Sequence, residues 1–161
     1  MSERVVHTPG PLRTPVVRGN PCSVAAALEI VGDRWSLLIV REVNLGHHRF
    51  GEIVQNTAAP RDRLAARLKQ LVEAGVLERR AYQESPSRSA YYLTEAGREL
   101  VPVLQVLRQW GDRWAVERPP IAMRHHDHEL SVGHTCDVCG ERVDPADVTR
   151  VRLTEKGLGR G

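Results

Sequence analysis

A helix with one apolar stripe and one basic face is the feature that most limits how this chain can fold. Leu64, Leu68 and Leu71 recur at i, i+4 and i+7, and this spacing predicts an amphipathic helix over residues 60–74 whose leucines face a core. The opposite face is polar and basic, with Arg61, Arg63, Arg67, Lys69 and Gln70. Such a face suits a helix that lies in the major groove of DNA.

A short hairpin is predicted directly after the basic helix. Residues 76–82 and 89–93 are rich in β-branched and aromatic side chains, and the turn-forming segment 85–87 lies between them. From Ala58 to Tyr92 the chain carries seven Arg and Lys against four Asp and Glu, a surplus that equals the formal net charge of +3 for the whole chain. Because the excess charge is concentrated here, we expect the helix and the hairpin to contact DNA, the hairpin as a wing.

Three short helices are predicted before the basic helix, over residues 22–31, 35–46 and 47–57. The order of three helices, basic helix and hairpin is that of a winged helix-turn-helix. We therefore expect a mainly α fold of the α+β class, with a two-stranded wing and a long C-terminal dimerisation helix.

The long helix is expected to begin after Thr94 as its N-cap and to end at Pro119-Pro120. Its apolar residues are spaced by 3, 4, 3 and 4, which is a heptad seam formed by Leu100, Val103, Leu107, Trp110 and Trp114. A seam of this kind needs a partner surface, and the two tryptophans at its end favour an interface. The sequence therefore predicts a homodimer; the alternative is a helix that folds back on its own domain.

The parts of the chain outside this region differ in composition. Residues 1–21 are predicted to form a disordered basic arm, residues 22–117 the DNA-binding and dimerisation domain, and residues 118–161 a C-terminal tail. The sequence contains no run of about eighteen apolar residues and no apolar signal core. We therefore expect no membrane partner and a cytoplasmic location.

The tail contains a cysteine motif of the kind found in zinc knuckles. Cys136 and Cys139 form a CxxCG sequence, in which Gly140 permits a tight turn around a metal ion. A structural zinc ion needs four ligands, and His128 and His134 are the candidates for the other two; a second subunit is an alternative source. Metal-free thiols and a disulfide within the motif stay open as alternatives. The histidine-rich tail shows no pattern of base and open metal position, so we do not expect an enzyme.

Three stretches of the chain resemble the HxlR-type bacterial transcriptional regulators: CSVAAALEIVGDRWSLLIVREVNLGHHRFGEI, LAARLKQLVEAGVLERRAY and YYLTEAGRELVPVLQVLRQWG. The similarity covers about residues 22–114. It implies a homodimeric winged-helix protein that represses or, in some members, activates nearby genes, and whose first and last helices build the dimer. One departure is Ala59, where many relatives have serine, so the basic helix is expected to lack a side-chain N-cap.

The residues expected to contact DNA have different roles. Arg61 and Arg63 lie in the first turn of the basic helix, where recognition helices meet base edges. The contacts expected at the margin of the helix are Lys69 and Gln70. Arg67 either contacts DNA or forms an ion pair within the fold. Arg88, near the hairpin tip, is expected to contact the DNA backbone or minor groove; the alternative is a solvated arginine.

Cys22 precedes the first helix, which the resemblance places in the dimer. In some members of the family a cysteine here senses oxidants or electrophiles, and a helix N-terminus favours the reactive thiolate; the alternative is a small buried residue. The sequence also leaves room for a small-molecule effector. A competing hypothesis for the chain is a zinc-ribbon protein-interaction module that does not read DNA sequence, which sequence-specific binding with a steep salt dependence would exclude.

Overall fold

The computed structural model describes residues 22–84, 87–151, 153–154 and 157–158. The helices in this part of the chain are α1 (Ser23–Val31), α2 (Arg34–Asn44), α3 (Phe50–Thr57), α4 (Arg61–Glu73) and α5 (Glu95–Trp114). The strands are β1 (Leu77–Glu84), β2 (Ser87–Leu93), β3 (Arg124–His125), β4 (His128–Glu129), β5 (Leu153–Thr154) and β6 (Gly157–Leu158), with a 3-10 turn at Pro145–Asp147. The basic arm predicted for residues 1–21 lies outside the described residues.

The core forms where α4 packs on α2 and α3. The leucine stripe of α4 is buried as its spacing predicts, with Leu64 and Leu68 at 0% exposure and Leu71 at 1%. Ile39 of α2 and Ile53 of α3 are fully buried against it. Burial of such side chains stabilises the fold by about 1.5–3 kcal/mol each, so these contacts fix the three helices relative to one another.

The predicted hairpin is confirmed, and its strands reach closer to the turn than expected. β1 and β2 pair antiparallel from Leu77↔Leu93 outward, with an irregularity between Ala81 and Gln83. An isolated antiparallel bridge joins Arg49 to Ala90 of β2. The segment before α3 therefore lies beside the wing, a contact that the sequence pattern does not predict.

The start of α5 is anchored to the end of α4. Thr94 is the predicted N-cap, and its hydroxyl accepts a hydrogen bond from the Gly97 backbone N–H at 3.2 Å. The same hydroxyl lies 2.6 Å from the carbonyl oxygen of Gly75. Gly97 is buried, and the position requires glycine because a β-carbon here would lie 2.3 Å from the carbonyl oxygen of Val76.

The other end of α5 differs from the expectation that the proline pair at 119–120 ends the helix. The helix stops at Trp114, and the Ala115 backbone N–H closes its last turn on the Gly111 carbonyl at 2.8 Å. Leu100 packs against the core, whereas Val103 and Leu107 are half exposed. The predicted heptad seam thus has its first residue on the core and the rest of its members in solvent.

The chain divides into two compact units, of which one ends at Leu107 and the other begins at Arg108. The first contains α1 to α4 and the wing. The second begins within α5 and contains the tail. The domain boundary predicted after residue 117 stays a prediction. Each helix in the described part of the chain is too short or too polar to span a lipid bilayer.

Candidate nucleic-acid interface

The solvent-facing side of α4 carries most of the predicted DNA contacts. Leu64, Leu68 and Leu71 are turned into the core, and this leaves the opposite side of the helix in solvent. The exposed polar side chains on it are Arg61, Arg63, Lys69 and Gln70. The helix therefore presents cationic donors to a ligand without loss of its packing.

Arg61 and Arg63 occupy the first turn of α4 but differ in their surroundings. The guanidinium of Arg61 lies over the ring of Phe50 in α3, 5.0 Å from the ring centroid. Such a cation–π contact contributes about 0.5–1 kcal/mol at an exposed site and restricts the guanidinium. Arg63 is exposed, and the described residues show no ion pair for it. Both guanidinium groups are thus exposed, and that of Arg61 is restricted by the Phe50 ring; their contact with base edges stays a prediction.

Arg67 forms an ion pair within the fold. Its guanidinium lies 3.2 Å from a carboxylate oxygen of Asp33, and both side chains are partly buried. The other oxygen of Asp33 accepts a hydrogen bond from the Trp35 backbone N–H at 2.8 Å, which caps α2. Of the two alternatives for Arg67, the ion pair is therefore present; a contact with DNA stays a prediction.

Lys69 lies near the end of the exposed face and has a local partner. Its amine is 3.8 Å from the carboxylate of Glu73, one turn later, and both side chains are exposed. Pairs of this kind contribute only about 0.3–0.5 kcal/mol, so the lysine can exchange Glu73 for a phosphate at little cost.

The turn between α3 and α4 sets the angle at which α4 is presented. Ala58 caps α3 in the left-handed region, with φ 53°. The Thr57 hydroxyl donates to the Ile53 carbonyl at 2.6 Å and accepts from the Ala59 backbone N–H at 3.3 Å. Pro60 then precedes α4 without a side-chain cap, as the alanine at 59 led us to expect.

A buried carboxylate ties α3 to α2. Glu42 is 3% exposed. Its oxygens accept hydrogen bonds from Arg41 at 2.8 Å and from the Asn56 amide at 2.9 Å, and Nδ1 of His47 lies 2.9 Å away. Burial raises the pKa of Glu42, but these hydrogen bonds and the Arg41 charge outweigh it and lower the pKa below its usual value. The stabilisation is therefore present above the usual glutamate pKa and is lost as pH falls through the lowered value.

The wing adds basic side chains beside those of α4. Arg88 is exposed and pairs in register with Gln83. Sequence reasoning did not select Arg79 and Arg80 of β1, both of which are exposed. Arg80 lies over the Tyr92 ring, 4.6 Å from its centroid, and pairs with Glu78. The strand register could not be read from the sequence, although the Arg79-Arg80 pair is visible in it.

Cys22, the predicted redox-sensing residue, lies at the N-cap position of α1 and is exposed. This differs from the alternative of a small buried residue. Exposure at a helix N-terminus is the setting in which thiols react most readily. Whether Cys22 senses oxidants stays a prediction.

The tail forms the turn that its CxxCG motif predicts. The Gly140 backbone N–H donates to the Cys136 carbonyl at 2.7 Å, and Gly140 has φ 75°. The backbone N–H groups of Cys139 and Val138, together with the Cys139 thiol, hydrogen-bond to the Cys136 sulfur and lower the pKa of its thiol. We call residues 136–140 the knuckle turn.

The predicted zinc ligands are not all brought together. Within the described ranges, no three His, Cys, Asp or Glu side chains are grouped so that they could hold a metal ion. His128 instead lies among histidines of the β3–β4 hairpin, with its ring centroid 5.5 Å from that of His125. His134 is exposed and is held through its carbonyl, which accepts from the Val143 backbone N–H at 2.9 Å. One chain thus supplies two thiols at the knuckle turn.

Comparison with known proteins places this geometry among DNA-binding regulators. The model of the HxlR-like helix-turn-helix family matches residues 30–119. An HTH-type transcriptional regulator of Mycobacterium tuberculosis is 45% identical over 131 residues, which covers 79% of this chain and 83% of the relative.

Solved structures agree with the family match. The crystal structure of PA1607, a proposed transcription factor, is similar with a TM-score of 0.73 at 33% identity, over 83% of this chain and 96% of that one. The reduced form of the transcriptional regulator YodB from Bacillus subtilis is similar with a TM-score of 0.50 at 33% identity, over 58% of this chain and 94% of that one.

Proposed function

We propose that this chain, which belongs to the HxlR-like helix-turn-helix family of DNA-binding transcriptional regulators, acts as a homodimer that reads a two-fold symmetric operator and represses the adjacent genes. In each subunit α4 enters the major groove and the β1–β2 hairpin lies along the neighbouring backbone. Two subunits then read two half-sites about 10–10.5 base pairs, or a multiple of that, apart.

The exposed apolar rows of two helices carry the homodimer proposal. On α1, Val24 and Leu28 are 67% and 57% exposed, one helical turn apart. On α5, the exposed members of the heptad seam are Val103 (50%), Leu107 (49%), Trp110 (59%) and Trp114 (69%). Apolar rows of this size are costly in water, and a second copy covers both with the same surface. The heptad spacing suits the packing of one helix on another.

The basic side chains have different proposed roles, which follow from their surroundings. Arg61 and Arg63 can each offer two N–H donors to O6 and N7 of a guanine, a contact that discriminates against other bases by about 1–3 kcal/mol. Arg88 and Lys69 lie at the edges and supply phosphate contacts, which add affinity for any sequence. Arg67 acts chiefly by holding α4 on α2 through Asp33.

Cys22 is the proposed sensor of oxidants or electrophiles. It is exposed and precedes α1, whose apolar row belongs to the proposed dimer surface. A bulky adduct or an intersubunit bond at this position would change how the two copies pack, and with it the spacing of the two α4 helices. A small-molecule effector stays a prediction.

Selection of bound DNA from a random pool tests the proposal. We expect an enriched sequence with two inverted half-sites, and binding to it that weakens steeply as salt increases. The selection is repeated with an oxidant: the wild type is expected to release the enriched sequence, and Cys22→Ser is expected to retain it. If no sequence is enriched, or only a single unpaired site, the result contradicts binding of a homodimer to two half-sites. Equal release by wild type and Cys22→Ser contradicts the sensor alone.

A further inference from the structure

We propose that the knuckle turns of two copies of this chain together hold one zinc ion, with Cys136 and Cys139 of each copy as its four ligands. The proposal rests on the homodimer proposed above. It assigns a role to the cysteine motif of the tail, which DNA recognition does not use.

The knuckle turn brings two thiols together in one tight loop. A hydrogen bond from the Gly140 backbone N–H to the Cys136 carbonyl closes a tight loop. The Cys136 backbone N–H in turn donates to the Glu141 carbonyl at 2.8 Å. Thr135 and Arg142, which lie on either side of the loop, form an antiparallel bridge with each other. The loop therefore holds its two cysteines close together while leaving Cys139 exposed to a ligand.

The hydrogen bonds at the Cys136 sulfur suit a metal-bound thiolate. Backbone N–H groups of Cys139 and Val138 point at this sulfur. Donors of this kind compensate the negative charge that a thiolate keeps when it binds a cation, and such outer hydrogen bonds orient metal ligands.

Two thiols do not complete a structural zinc site, which is almost always four-coordinate. The missing pair does not come from the same chain as far as its described residues go, because they contain no third ligand grouped with the knuckle turn. A second copy supplies an identical pair. The resulting set of four thiolates is a common structural zinc site.

The tail is tied to the helix that the proposed dimer uses. The Val132 backbone N–H donates to the Gln109 side-chain oxygen at 2.8 Å, and the Gln109 amide donates to the Val132 carbonyl at 3.1 Å. Gln109 adjoins Trp110 of the exposed row on α5. The segment that leads into Cys136 is thus fastened beside Trp110, a residue of the surface where a second copy would pack.

Cobalt titration of the full-length protein tests the shared site. The protein is purified without a histidine tag, reduced and stripped of metal, and Co²⁺ is added while sulfur-to-cobalt charge-transfer absorption is recorded. We expect the absorption to reach its limit at one cobalt per two chains and to disappear when Zn²⁺ is added. Cys136→Ser and Cys139→Ser should each abolish this signal, whereas Cys22→Ser, which also removes a thiol, should keep it. His134→Ala and His128→Ala should also keep it.

Several results overturn the proposal. A limit at one cobalt per chain, loss of the signal in a histidine variant, or no thiolate signal in the reduced protein each contradicts the shared site. Sedimentation equilibrium of the same samples separates this failure from that of the homodimer. A metal-free dimer that gives no signal contradicts the zinc site alone. A chain that stays monomeric with and without metal contradicts the homodimer itself.

Discussion

At the scale of single residues, the arginines of α4 differ less in chemistry than in what lies beside them. Arg61 rests on an aromatic ring, Arg63 faces solvent, and Arg67 is paired with Asp33. Their spacing in the sequence is that of one helix face and cannot reveal these differences. The partner of Arg67 lies far along the chain, so only the packing of α4 on α2 identifies it.

We expect the pair of Arg67 and Asp33 to stabilise the fold. In a double-mutant cycle with Arg67→Ala and Asp33→Ala, urea unfolding should give a coupling free energy of about 1 kcal/mol, because both side chains are partly buried. The matched control is the exposed pair of Lys69 and Glu73, whose coupling should stay below about 0.5 kcal/mol. Equal coupling in both cycles would show that Arg67 is not held by the fold.

At the scale of elements, the decisive contact is the one that docks the start of α5 on the junction between α4 and β1. Thr94 and Gly97 meet the backbone at Gly75 and Val76, where α4 ends and β1 begins. The requirement for glycine at 97 comes from this close approach and not from its φ. The contact thus links the recognition helix, the wing and the proposed dimer helix at one point.

Gly97→Ala should lower the free energy of unfolding by about 1–3 kcal/mol, because its β-carbon would overlap the Val76 carbonyl and backbone would have to move. Thermal or urea unfolding measures this. Gly111→Ala on the same helix is the matched control. Nothing lies within 4 Å of the added β-carbon there, so the change should be neutral or stabilise by up to about 1 kcal/mol. Similar effects of the two substitutions would argue against the docking contact.

The elements themselves were largely predictable from the sequence. The leucine period of α4 and the composition of the hairpin located both correctly, and Thr94 was correctly identified as a cap. The bridge from Arg49 to Ala90 was not predictable, because it joins segments that are remote in the sequence. Glu42 was missed for another reason: a charged residue is normally expected at the surface, and only its three partners explain its burial.

At the scale of the whole molecule, the sequence identified two kinds of surface that the structure leaves in solvent. One is the basic face of α4 with the wing; the other is the pair of apolar rows on α1 and α5. Binding to DNA requires the basic surface, and binding of two subunits to a symmetric operator requires the apolar surface. The knuckle turn was recognisable from CxxCG, but its missing ligands were not, since spacing alone cannot tell whether His128 and His134 approach it.

The central claim is that the first turn of α4 reads bases, and the affinity of Arg61→Ala for the selected operator tests it most directly. Fluorescence anisotropy at fixed salt should show a loss of about 1–3 kcal/mol for the operator, with little change for a scrambled duplex of the same length. Arg118→Ala, which removes an exposed arginine from the tail, should bind like the wild type. All three proteins should be fully folded under the binding conditions, with Arg61→Ala less stable by no more than the contribution of its contact with Phe50, about 0.5–1 kcal/mol. An Arg61→Ala protein that binds the operator as tightly as the wild type would contradict the account.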